Sequence, residues 1–282
     1  TRTLAGAKTN TIFDTERTAG NYDDTNVSEF YEQCWGGQDI HIGRYDTGTE
    51  TIAEASEAMT RYLVERAGIG ADFRVIDIAC GFGGTLRMLA RMGCQVRGVD
   101  ISRNCVDHAR DANTQAGLAH RIEVTVGDFH NIDSEPGSWD AVVCQEAIIH
   151  SPRRSEVFAE SYRVLRPGGV FALSDIVTGE DADISMVEAA FARLGASAGS
   201  TISDYQGMAQ DAGFEILHTE ERLNDIRTHY DKLAERLAEP VAGLDADATA
   251  AIAKSIANWQ VALAHGSITW ACFVARKPMN SR

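Results

Sequence analysis

A short apolar run, Val75-Ile76-Asp77-Ile78-Ala79, passes directly into Cys80-Gly81-Phe82-Gly83-Gly84, and a second run, Val96-Arg97-Gly98-Val99, ends on Asp100. A buried parallel strand hands over to a helix through such a turn, because glycine accepts φ > 0 and lets the backbone approach a ligand closely. A carboxylate roughly 20 residues beyond the turn suits the two hydroxyls of a ribose. The pattern predicts an α/β fold that holds a nucleoside-containing cofactor at the carboxyl ends of its strands.

The spacing says which cofactor. A dinucleotide site asks for GxGxxG, so that a pyrophosphate can sit on the helix N-terminus. Here Gly81, Gly83 and Gly84 are followed by Leu86, and Asp77 stands inside the strand. An acid at that place repels a pyrophosphate and suits an ammonium group. S-adenosylmethionine carries an ammonium and no phosphate, so it is the expected cofactor, and a nicotinamide-dependent oxidoreductase is disfavoured.

The rest of the chain alternates apolar runs with helical stretches. Strands are expected at 74–79, 95–99, 121–126, 140–145 and 169–175, with two later runs at 214–219 and 267–275. Helices are expected at 51–67, 84–92, 103–116, 154–165, 222–238 and 246–264. Strands alternating with helices imply a doubly wound, mostly parallel seven-stranded sheet of Rossmann-like type. Residues 1–20 are polar and expected to be mobile, leaving 21–282 as a single domain. Within it, 21–67 reads as an N-terminal helical arm, because nine aromatic, glycine and histidine positions between Tyr22 and Tyr45 are too many for a disordered segment. Residues 177–213 break the rhythm and read as a small helical lid inserted in the domain. Arg166-Pro167-Gly168-Gly169 reads as a turn into the fifth strand.

Bulk properties narrow the partners. The formal charge is −15 and the isoelectric point about 4.9, which argues against nucleic acid and anionic membranes. Only four of the 26 basic residues are Lys, which fits a salt-adapted source or a GC-rich genome. The six Cys form no CxxC pair and sit mostly in apolar surroundings. That pattern predicts buried thiols in a reduced, cytoplasmic protein, with no metal site. No stretch approaches the roughly 20 apolar residues of a membrane span. Oligomeric state is left open between monomer and dimer.

Ligands of an open parallel sheet lie beyond its strand ends. Four positions should meet there: the turn at 77–84, Asp100, Gly127-Asp128-Phe129, and Gln145 through His150. Asp128 suits an adenine amino group, with Phe129 against the ring. Aromatic faces attract alkylated ammonium groups, and Tyr31, Trp35 and Tyr230 are candidates for such a cage. Trp259 and Trp270 read as core. A substrate carboxylate needs a donor, for which His41, Arg44 and Arg227 are the candidates.

Asp77-Ile-Ala-Cys-Gly-Phe-Gly-Gly, Asp100, Gly127-Asp128-Phe129, Trp139-Asp140-Ala141 and Leu165-Arg-Pro-Gly-Gly169 resemble the consecutive motifs of class I S-adenosylmethionine-dependent methyltransferases. Tyr22-Asp23, Phe30-Tyr31 and Trp35-Gly-Gly-Gln-Asp-Ile-His-Ile-Gly43 narrow the resemblance to sarcosine/dimethylglycine N-methyltransferases, which make the osmolyte glycine betaine. The similarity continues at Gln145 through Ser151, at His229-Tyr230, at Trp259 and at Trp270. The chain departs from that family at Arg44, commonly apolar, and at Cys80, often Gly or Ala.

The resemblance implies a small amine or amino acid as substrate. It implies cofactor contacts at Tyr31, Trp35, Asp77, Ala79, Gly81, Asp100, Ile101, Asp128, Phe129 and Gln145. Substrate contacts are expected at Trp35, His41, Arg44, Arg227 and Tyr230. In related phosphoethanolamine N-methyltransferases an N-terminal Tyr pairs with a His at the fourth motif, so Tyr22 and His150 are expected to be catalytic. Alternatives are an N-methyltransferase for another small amine, a carbon methyltransferase of the cyclopropane or sterol type, and a non-catalytic S-adenosylmethionine-binding protein.

Overall fold

The computed structural model describes residue 20, residues 25–194, residue 196 and residues 199–279. One sheet contains β1 (Arg74–Asp77), β2 (Gln95–Asp100), β3 (Ile122–Val126), β4 (Trp139–Gln145), β5 (Leu165–Thr178), β6 (Glu215–Glu221) and β7 (Ile268–Arg276). Their order is β3-β2-β1-β4-β5-β7-β6. β1 to β5 pair in parallel, and β7 runs antiparallel to β5 and to β6. The seven-stranded, mostly parallel sheet expected from the alternation is therefore present, with an antiparallel hairpin pattern at one edge. Strand order reverses at β1, which lies between β2 and β4. The turns after these strands diverge there and leave a crevice.

Local sequence accounts for the helices. α1 (Thr25–Cys34) and α2 (Ile52–Ala67) precede the sheet. Thr51 and Glu54 form a reciprocal capping box at the start of α2, and Gly68 ends it at φ 66°. α3 (Gly84–Arg91), α4 (Arg103–Gln115) and α5 (Arg154–Val164) connect successive parallel strands. α6 (Ile184–Phe191) and α7 (Ile202–Asp211) follow β5, and α8 (Leu223–Leu237) and α9 (Ala246–His265) lie between β6 and β7.

Side chains alternate across the sheet, so each strand feeds two cores. Val75, Val143 and Ala172 pack with α2, α3, α4, α8 and α9 on one face. Ile76, Val142 and Phe171 pack with Val157 and Phe158 of α5 and Tyr205 and Ala209 of α7 on the other. Segment 177–213 thus divides: α7 covers the second face, and Phe191 of α6 lies 5.2 Å from Trp259 of α9.

Two boundaries differ from the sequence reading. β1 ends at Asp77 because the chain then bends, with Cys80 N–H donating to Val99 O. β5 begins at Leu165, since Trp139 pairs with Leu165 and Ala141 with Val170. The Arg-Pro-Gly-Gly segment is a bulge inside the strand, with Gly168 at φ 79° and Arg166 held by the Asp140 carboxylate.

Candidate active site

The glycine-rich turn and Asp100 build the first wall. Asp100 Oδ2 accepts Gly81 N–H at 2.8 Å and Oδ1 accepts Ser102 N–H at 2.9 Å, so one carboxylate ties together the turns after β1 and β2. Gly81 adopts φ 49°. Gly84 answers to a different neighbour: a Cβ there would stand 2.1 Å from Asp39 Oδ1, where the arm crosses the start of α3. The arm is fastened at this point by Gly84 N–H to Gln38 O, 3.0 Å, and by buried Arg87, whose Nη2 donates to Gln38 Oε1 at 2.6 Å.

Above the turn lies a cavity of about 780 Å³, open to solvent. Ala79, Gly81, Asp100 and Ile101 line one part, Asp128 and Phe129 a second, and Gln145 and His150 a third. These eight residues were expected to meet there, and the structure brings them together. Gln145 Oε1 accepts Thr85 Oγ1–H at 3.0 Å, while its buried Nε2 has no protein partner among the described residues. That amide is a spare donor beside the cavity.

Asp128 is held by a relay that the sequence did not reveal. Its Oδ1 accepts His130 N–H at 2.9 Å and lies 2.6 Å from His130 Nδ1, while His130 Nε2 lies 2.7 Å from Ser151 Oγ. Burial opposes ionisation of Asp128, but the hydrogen bonds from His130 keep its carboxyl below the usual range. With Oδ1 engaged, Oδ2 is the oxygen left for a ligand's amino group. His130→Ala is expected to raise the cofactor KM by roughly 5–10-fold, about 1 kcal/mol of one lost hydrogen bond, with kcat little changed. Steady-state kinetics at saturating acceptor check this.

A second cavity, of about 560 Å³, adjoins the first and shares Ile40, Glu146 and His150 with it. Tyr31, Trp35 and Tyr230 line it. Tyr31 and Trp35 meet edge-on with centroids 5.2 Å apart, and Tyr230 stacks on Trp259 at 4.8 Å. Trp259 therefore does more than fill the core, since it also lines this cavity. Tyr31 and Trp35 were expected both among the cofactor contacts and in the ammonium cage; Tyr31 on helix α1 and Trp35 just after it line the second cavity and not the first.

Glu146, inside the segment Gln145 through His150 but given no role of its own from the sequence, sits at the junction. Its φ is 48°, a conformation that costs a non-glycine residue about 1–3 kcal/mol unless its surroundings enforce it. Three donors enforce it: Ile42 N–H at 2.8 Å, Ser174 Oγ–H at 2.6 Å and Trp270 Nε1–H at 2.7 Å. Burial pushes its carboxyl upward in pKa. The available signal was an acid directly after a buried strand, but nothing local announces the backbone twist. At the same junction His150 is half-buried, and desolvation, assisted by the Arg154 charge, holds its pKa down to about 4. Its imidazole is neutral near pH 7.

Four expected site residues lie elsewhere. Asp77 is buried beneath the turn, accepts Ala79 N–H at 3.2 Å, and is pushed up to about 7 by burial, with the Asp100 charge adding to it. His41 is buried with Nε2 3.3 Å from Asp39 and 3.0 Å from Thr60 Oγ1; burial opposes its charge, but Asp39 and then Glu146 raise its pKa to about 9. Arg44 pairs with Asp46 at 2.8 Å and lies over the Tyr62 ring, so its charge is spent at the surface. Arg227 donates to Leu263 O at 2.8 and 3.1 Å and caps the end of α9. Tyr22 lies outside the described residues.

A cation on the second cavity emerges only in three dimensions. Arg193, just beyond α6, lines it, and its buried Nε has no hydrogen-bond partner among the described residues.

Comparisons with known proteins agree with this geometry. Residues 76–173 match the family model described as a methyltransferase domain. The sarcosine/dimethylglycine N-methyltransferase of Halorhodospira halochloris is 31% identical over 266 residues, covering 91% of this chain and 94% of the relative. The dimethylglycine N-methyltransferase of Parasynechococcus marenigrum is 30% identical over 263 residues, with the same two coverages of 91% and 94%. A provisionally named sarcosine dimethylglycine methyltransferase from Galdieria sulphuraria superposes with a TM-score of 0.84 at 29% identity, over 91% of this chain and 99% of that one. The chain belongs to the sarcosine/dimethylglycine N-methyltransferase family and is an S-adenosylmethionine-dependent methyltransferase.

Proposed function

We propose that this chain transfers methyl groups to the nitrogen of sarcosine and N,N-dimethylglycine, the closing steps of glycine betaine synthesis. The observation that carries the reading is the junction: Glu146 and His150 border both the cavity of the glycine-rich turn and the aromatic cavity beside it. A donor and an acceptor held in the two cavities would meet at these side chains.

The residues of the first cavity fit S-adenosylmethionine. Asp100 suits the ribose hydroxyls, Asp128 and Phe129 the adenine, and the spare Gln145 amide the amino-acid end. The bound cofactor supplies an electrophilic methyl group on a sulfonium. Ile101, Ala79 and Gly81 complete the wall, and Asp77 supports the turn from below.

The acceptor side is set by charge. A secondary or tertiary aliphatic amine is mostly protonated at pH 7, and the buried Glu146 carboxylate with the Tyr31, Trp35 and Tyr230 faces attracts that cation. The nitrogen must then lose its proton to offer a lone pair. His150, neutral through burial, accepts that proton at an imidazole nitrogen. Held between the two cavities, the acceptor reacts as an oriented neighbour, which is where much of the acceleration in a displacement arises. Tyr22 remains a proposed partner of His150.

Arg193 offers its guanidinium to the substrate carboxylate, in the role first considered for His41, Arg44 and Arg227. It is the single arginine or lysine among the described lining residues of the second cavity, which suits a carboxylate better than a doubly charged phosphate. Arg193→Met is expected to raise KM for dimethylglycine by roughly 10–100-fold, the loss of a charged hydrogen bond. Activity toward dimethylethanolamine, which lacks the carboxylate, should be unaffected. The assay is methyl transfer to glycine, sarcosine, dimethylglycine and that control, at low and high salt. Transfer to none of these amino acids would refute the proposal.

A further inference from the structure

His218 and Glu220 of β6 and Cys272 of β7 share one face of the sheet. Residues two apart on a strand point the same way, and Glu220 pairs with Cys272 across the antiparallel ladder. Their ligand atoms, a His218 ring nitrogen, a Glu220 carboxylate oxygen and Cys272 Sγ, all lie within 4.8 Å of one another. His218 Nε2 is 3.3 Å from Glu220 Oε2. A tetrahedral zinc centre, with bonds of about 2.0–2.3 Å, sets its ligand atoms about 3.3–3.8 Å apart, so this spacing needs little rearrangement. Tyr62 of α2 closes the patch, with its hydroxyl 3.4 Å from His218 Nε2 and donating to Glu220 Oε2. The side chains of His218 and Glu220 are 26% and 35% exposed, so an ion has a route from solvent to the buried thiol.

The surrounding charges select among cations. Arg222 Nη1 holds Glu220 Oε1 at 2.8 Å, which leaves Oε2 facing the cluster. The guanidinium groups of Arg44, Arg66 and Arg222 stand 4.7, 5.1 and 5.1 Å from the Tyr62 ring centre. They oppose any cation that cannot offset them. Calcium and magnesium ask for several oxygen ligands, and one carboxylate does not supply them. A borderline-soft cation can convert the thiol to a thiolate and gain a strong bond in return.

We propose that His218, Glu220 and Cys272 form a binding site for a zinc-class divalent cation. Three coordinate bonds form, from Nε2, Oε2 and Sγ. The thiol proton leaves to solvent, His218 stays neutral with its proton on Nδ1, and the Tyr62 hydroxyl gives up its place on Oε2. The bound ion would clamp edge strand β6 to β7. This site stands apart from the methyl-transfer reading and does not depend on it. No cysteine or histidine spacing signalled it, because its ligands come from strands separated by α8 and α9.

The test is titration of the EDTA-stripped full chain with Zn²⁺ by calorimetry and with Co²⁺ by absorbance. Expected results are one saturable equivalent, a rise in melting temperature, and a thiolate-to-cobalt charge-transfer band. Cys272→Ser should abolish that band, and His218→Gln should weaken binding at least tenfold. His218→Gln alters a partly exposed side chain, so it carries the test even if Cys272→Ser fails to fold. No saturable binding, or undiminished binding in His218→Gln, would overturn the proposal.

Discussion

Replacing His150 by Ala is expected to lower kcat by roughly 10²–10³-fold while changing cofactor affinity less than threefold. The magnitude follows from its position. His150 borders both cavities, is desolvated, and is held near pKa 4 by burial and then by Arg154. A ring that stays neutral throughout the working pH range does not add a second positive charge beside the ammonium group, and it can take up a proton only as the methyl group transfers. Its shifted pKa also has a sign that can be checked. Loss of activity from charging His150 requires acidification toward about pH 4, so a break in kcat near pH 6.5 would have to come from another group. His150 is one lining residue of the first cavity among many, and the proposed ribose and adenine contacts at Asp100 and Asp128 do not involve it, so equilibrium binding should survive the substitution. Unchanged turnover in His150→Ala would remove this residue from the chemistry.

Asp100→Ala is expected to weaken S-adenosylmethionine binding by about 2–4 kcal/mol, or roughly 30- to 1,000-fold. Two ribose hydrogen bonds would be lost together. The structure adds a second reason for a large effect, because both carboxylate oxygens also receive backbone N–H groups, from Gly81 and Ser102. Truncation would release the turn that shapes the cavity as well as its ligand contact. Asp100→Asn separates the two effects. It can still accept one backbone bond and one ribose hydroxyl, so its loss should fall between wild type and Ala. Calorimetric titration with S-adenosylhomocysteine measures all three. Equal affinity in Asp100→Ala would dismiss the ribose role.

The parts of the site built by local pattern could be read in advance. Ala79, Gly81, Asp100, Ile101, Asp128, Phe129 and Gln145 sit at or just after the ends of predicted strands, and a parallel sheet carries its strand ends to one crevice whatever else the chain does. The same logic places His150 in the short helical turn after β4. Tyr31, Trp35 and Tyr230 were visible as an aromatic set, but their cavity was not, because α1 and α8 meet only through packing on one face of the sheet.

Charged residues were the least legible. Arg44 and Arg227 have the chemistry to bind a carboxylate, and the fold uses one in a surface ion pair and the other to cap a helix. Arg193 has the same chemistry, and packing turns it toward the second cavity. A guanidinium on a long flexible stem finds its partner from the surroundings, which the linear order of residues does not specify.

Strand–turn–helix alternation, the Asp77 and glycine spacing, and Asp100 by themselves determined the α/β sheet, its switch point and the class of cofactor, because those features depend on neighbours close in the chain. Tertiary structure alone decided which charges line the second cavity. Glu146 reaches the junction only because Ile42, Ser174 and Trp270, from three distant segments, converge to hold a backbone conformation it would not adopt unaided.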